Sequence, residues 1–156
     1  MKTTRIMAVA AATLFIASGL PLHTAQSHQL EVNRTDAATR DAARRETVTV
    51  AADKPIPNLP GKRMVSLIVD YPPGASSDAH RHARSAFIYA YVLSGEVRSA
   101  VDGEPARVYR AGESWFESPG AHHRVSANAS DTKPARLLAV FIVDADDEEL
   151  TIPDSH

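Results

Sequence analysis

The chain has no cysteine in its 156 residues. That absence excludes disulfides, thiolate nucleophiles, iron–sulfur clusters and thiolate zinc sites, so any metal must be held by nitrogen and oxygen donors. An excess of one charge is also lacking, because 17 Lys and Arg stand against 19 Asp and Glu for a formal net charge of −2. Without basic runs there is no footprint for nucleic acid, whose affinity rests on clustered Lys and Arg. No glycine-rich loop precedes a helix, which argues against nucleotide binding. No nucleophile–base pair supports a hydrolase, and the serines at Ser76-Ser77 and Ser94 fit turns. The length points to one domain with a short appendage.

Long hydrophobic runs are limited to one, Ile6 to Leu20. Lys2 and Arg5 precede it, Pro21 ends it, and Ala25-Gln26-Ser27 offers small residues before a cut. Residues 1–27 therefore read as a secretory signal. This mostly apolar run of fifteen residues falls short of the roughly 20 that span a bilayer. The expectation is a secreted or periplasmic protein with no membrane span in its mature chain, and a cysteine-free composition suits that oxidising place. A cut after Ser27 would leave His28 as the first residue. Its amine and ring form a copper-chelating pair, but nothing around it belongs to a copper enzyme, so chance is the better explanation.

Residues 28–63 read as an extension and linker. The stretch from Glu31 to Glu46 is polar without a clean apolar stripe, and Lys54 to Gly61 carries three prolines and a glycine. From Met64 onward short apolar runs alternate with turn signals, the pattern of an antiparallel all-β domain over 64–143. Candidate strands are Met64–Tyr71, Ala86–Leu93, Val97–Val101, Ala106–Arg110, Ser114–Glu117, His123–Ala127 and Ala135–Val143. Asp102-Gly103 is a tight-hairpin signal, since both residues tolerate positive φ. Such regular spacing suits a small barrel or jelly roll. Residues 144–156 read as an acidic tail, with Asp144–Glu149 a solvated end.

Four of the seven histidines fall in two clusters, His80-Arg81-His82 and His122-His123. In an extended chain, residues two apart point the same way with backbone positions about 6.5–7 Å apart, so His80 and His82 can converge on one ion. Neighbours on a strand face opposite ways, so at most one of His122 and His123 joins them. Taken alone, a His-x-His pair is as readily a pair of loop histidines on the surface. Arg81 and Arg124 alternate away from the cluster by the same geometry. Phe87, Tyr89, Tyr91 and Trp115 sit on strands and read as core, with a pocket-lining role as the alternative.

The surrounding framework resembles the cupin family. Gly74, five residues, His80-x-His82 and a run to Gly95 resemble its first motif. Gly112, five residues, then Ser118-Pro119-Gly120-Ala121-His122-His123 resemble its second, with Ser118 in place of the usual proline. The resemblance implies a single cupin-type antiparallel β-barrel, or jelly roll, with His123 as the ligand of the second motif. The family's usual Glu in the first motif is missing, since no acidic residue occurs from Ala83 to Ser94. What remains is a three-histidine set, His80, His82 and His123, with Glu113 and Glu117 as alternative sources of the lost carboxylate.

Three neutral nitrogens leave a bound divalent ion its full charge and open positions. The donor set suits Fe, Mn, Zn, Cu or Ni without choosing among them. Two functions follow: a metal-dependent small-molecule enzyme of dioxygenase type, or a non-catalytic module binding a small ligand or metal. The resemblance also implies pairing into a homodimer.

Overall fold

The computed structural model describes residue 34 and residues 45–154. The expected signal and His28 lie outside them. Every element between residues 45 and 154 is a strand: β1 (Thr47–Pro55), β2 (Lys62–Tyr71), β3 (Ser76–Ser77), β4 (His80–His82), β5 (Phe87–Ser94), β6 (Glu96–Val101), β7 (Arg107–Arg110), β8 (Ser114–Glu117), β9 (His122–Asn128), β10 (Ala135–Asp144) and β11 (Thr151–Pro153). All pairings are antiparallel. One sheet runs β1-β2-β10-β5-β8 and the other β11-β4-β9-β6-β7, with β3 beside β9. The domain is the all-β antiparallel barrel that the turn spacing predicts.

Period-two alternation builds the inner face. On β5, Ile88, Ala90 and Val92 point inward, opposite Phe141, Ala139 and Leu137 of β10. Ala90 facing Ala139 leaves space where two larger side chains would close the barrel, and both residues line a cavity of about 560 Å³. The remaining parity of β5 differs from the expected core role. Phe87, Tyr89 and Tyr91 point outward and form an aromatic strip with Phe116 of β8, where the Phe87 and Phe116 rings stack at 5.7 Å. None of the three lines the cavity, because inward places on this strand fall to the small and aliphatic residues between them.

Two strands extend the barrel beyond 64–143. β1 lies in the segment read as linker and pairs along β2, with a bulge between Val50 and Ala52. It is an edge strand with mostly exposed side chains, which is why a Pro can end it. β11 folds the tail back onto β4, setting Ile152 opposite Arg81. Asp102 takes the expected positive φ of 50°, but the connection from β6 to β7 runs on to Arg107. It is longer than a two-residue hairpin because Asp102 is engaged by β9, donating its N–H to the His122 carbonyl and accepting the His122 N–H on its carboxylate.

Gly95 is fixed by both conformation and space. Its φ is +72°, and a Cβ there would lie 2.5 Å from the Pro134 carbonyl oxygen and 2.7 Å from Ala135 Cα. No side chain fits at this turn, where β5 hands over to β6.

Candidate metal centre

β4 and β9 pair so that His80 lies opposite His123 and Arg81 opposite His122. The first pair points into the barrel and the second out of it, as alternation requires. A bulge follows on β9, where Ala100 pairs with Val125 and Val101 with His123, leaving Arg124 as the extra residue. Bulges re-aim side chains beside functional sites, and this one lets His123 and Ser126, three residues apart, both line the cavity.

The three imidazoles converge. Ring centroids of His80, His82 and His123 are 4.8, 5.3 and 5.9 Å apart, and one ring nitrogen from each lies within 4.8 Å of the others. This is a group that could hold a metal ion. His82 and His123 are each 4% exposed, and His80 is half-buried. Burial pushes His80 below its ordinary value and His123 down to about 4, so both are neutral near pH 7 with lone pairs free to ligate.

Hydrogen bonds set which nitrogen faces inward. His80 Nδ1 donates to the Asp78 carbonyl at 2.8 Å, and His82 Nδ1 to the Leu150 carbonyl at 3.3 Å. A carbonyl only accepts, so each of these rings carries a proton on Nδ1 and turns Nε2 away from the backbone. His123 Nε2 lies 2.9 Å from Ser99 Oγ, which leaves Nδ1 on the side of Glu117 Oε1 at 3.4 Å.

Glu117 of β8 reaches this group from the facing sheet. Its carboxylate is 3% exposed, with Oε1 held by the Trp115 indole N–H at 3.0 Å and Oε2 2.9 Å from His82 Nε2. That last approach is within ion-pair range yet lacks hydrogen-bond geometry, and both atoms are buried without a hydrogen-bond partner. Burial raises the Glu117 carboxyl, but contacts with His82, His123 and Trp115 outweigh it and hold the group below the usual carboxylate value. It is ionised near neutral pH.

The other sequence candidates stand apart. Glu113 is a surface side chain bound to the Arg110 N–H and to Arg107. His122 faces outward and pairs with Asp154 at 2.8 Å. Arg81 is exposed, and Arg124 spends its guanidinium on the Asp102 and Glu104 carbonyls. Trp115 is buried core, with its indole serving Glu117. The cavity wall is otherwise mainly apolar, including Leu67, Val69, Leu137 and Phe141, and no Lys or Arg lines it among the described residues. Glu46, Asp78, Glu148 and Glu149 contribute its outer carboxylates.

An antiparallel double-sheet barrel with a histidine cluster facing an internal cavity defines a class of small β-barrel proteins. Residues 67–141 match the cupin domain family model, so the chain carries a cupin domain over this stretch of the barrel. Among curated proteins none matches the chain in sequence. Three solved structures share the fold at low identity. An uncharacterized conserved protein with a double-stranded β-helix domain from Klebsiella pneumoniae is 16% identical, with a TM-score of 0.55 over 70% of this chain and 86% of that one. KdgF from Halomonas sp. is 20% identical, with a TM-score of 0.51 over 67% and 84%. An RmlC-like cupin from Methanocaldococcus jannaschii is 11% identical, with a TM-score of 0.51 over 64% and 81%.

Proposed function

We propose that this chain is an exported cupin whose His80, His82 and His123 hold one divalent transition-metal ion at the wall of a small-molecule cavity, and that it acts as a metal-dependent enzyme of dioxygenase type. The observation that carries the metal reading is the convergence of lone pairs. The Nδ1 protons of His80 and His82 are spent on backbone carbonyls, so their Nε2 atoms face one another's neighbourhood with nothing to accept from. A cation relieves that arrangement and a hydrogen-bond donor relieves only part of it.

When bound, such an ion supplies Lewis acidity and positions at which oxygen or a chelating substrate can be activated. The protein's own part is to fix the three rings and to enclose the substrate in a mainly apolar chamber of about 560 Å³. With carboxylates at its outer wall and no cation lining it, that chamber favours an apolar neutral or cationic molecule over an anion. A non-catalytic binding module is the second reading, favoured by Glu117 being the one carboxylate of the cavity wall within 4 Å of a histidine ring nitrogen among the described residues. In that case bound ligand would be released unchanged.

The test is metal analysis of protein isolated from its native compartment without chelator, beside the His123→Ala variant. About one equivalent of a transition metal in the wild type and its loss in a variant that keeps the β-sheet circular dichroism are expected. Less than about a tenth of an equivalent in the wild type would sink the proposal.

A further inference from the structure

Glu117 is the group whose state the three-histidine reading leaves unexplained. It comes from β8, in the second motif region, whereas the family pattern expects a carboxylate in the first motif, where this sequence has none. We propose that Glu117 is the fourth metal ligand, bound through Oε2, so that the centre is three nitrogens and one carboxylate oxygen drawn from both sheets. This rests on the metal reading above.

The geometry argues as follows. Glu117 Oε2 and His82 Nε2 are 2.9 Å apart, both buried and both without a hydrogen-bond partner. The Leu150 carbonyl takes the Nδ1 proton of His82, so Nε2 is the ring atom turned toward the carboxylate. Two buried acceptors at that distance repel unless a cation or a proton lies between them. Two donors each about 2.1 Å from one ion, at a right angle, are about 3 Å apart, which is the observed spacing. A proton shared by this pair would leave the lone pair of His80 directed at the same region, whereas one divalent ion satisfies all of them. Trp115 completes the arrangement by occupying Oε1, so that only Oε2 is free to turn toward the histidines.

A carboxylate ligand lowers the net charge of a divalent centre by one unit and adds a hard oxygen donor, which shifts preference toward Fe(II), Mn(II) and Co(II) relative to a soft ion such as Cu(I).

The experiment titrates Co(II) into metal-free wild type, Glu117→Gln, Trp115→Phe and His123→Ala, reading both the dissociation constant and the visible d–d spectrum. Glu117→Gln keeps the shape and the acceptor for Trp115, and it should bind Co(II) 10- to 100-fold more weakly with a shifted d–d band. Trp115→Phe, which leaves the carboxylate but frees its orientation, should lose several-fold. Thermal denaturation of metal-free Glu117→Gln should be no lower than that of wild type, because an amide relieves the acceptor–acceptor contact. If Glu117→Gln keeps the wild-type constant and spectrum while His123→Ala loses binding, Glu117 is no ligand and the three-histidine site stands. If wild type itself fails to bind Co(II), the metal reading and this inference fall together.

Discussion

At the scale of single residues, the centre is set by which atoms are denied a proton. Asp78 and Leu150 contribute only backbone carbonyls, yet they fix the tautomers of His80 and His82. Burial acts on the charge of His123 instead, by disfavouring its protonated form. This has a consequence for the metal-free protein. An unfolded chain protonates His123 near its ordinary 6.5, whereas the folded chain holds out until about 4. Between those values the unfolded state binds more protons, so stability falls as pH falls, by up to about 3 kcal/mol from this group. The urea midpoint should therefore drop between pH 7 and pH 4.5. A midpoint that holds steady or rises would contradict a buried, neutral His123.

At the scale of elements, the strands carrying the barrel were legible because they alternate and are bounded by turns. Met64–Tyr71, Ser114–Glu117 and Ala135–Val143 were readable from sequence and appear as β2, β8 and β10 within one or two residues. The elements that escaped have weak patterns for physical reasons. β1 is an edge strand whose side chains face solvent, so burial imposes little apolar alternation on it. β11 is three residues long, and its identity lies in backbone pairing with β4. Alternation put His80 and His82 on one face and admitted one of His122 and His123; the resemblance to the cupin motifs singled out His123 and left Glu117 only as an alternative. Its approach from the opposite sheet depends on how the sheets face, which no local pattern encodes. The aromatic strip on β5 shows the reverse error: large rings suggest core, but the inward parity belongs to Ile88, Ala90 and Val92.

β11 offers an element-scale prediction. The tail lays Leu150 against His82 and pairs Asp154 with His122, while the main ladders of β2, β5, β6, β9 and β10 do not involve it. A chain ending at Glu149 should keep its β-sheet circular dichroism but bind metal about 10- to 100-fold more weakly, as loss of a ligand's supporting hydrogen bond does. Unchanged affinity, measured by competition with a chromophoric chelator, would mean that the tail does not orient His82.

At the scale of the whole molecule, the two sheets divide the work. The β4–β9 pair presents three imidazoles, the facing sheet presents a carboxylate and the apolar wall, and the carboxylate-bearing outer wall leaves the cavity without a lining cation among the described residues. Both halves must meet across the barrel for the centre to exist. Anomalous diffraction from crystals of the protein grown with Co(II) is the measurement that bears most directly on this. One strong peak within about 2.0–2.3 Å of a nitrogen from each of His80, His82 and His123 is the expected result. No peak between the three rings, or one confined to the surface carboxylates, would contradict it.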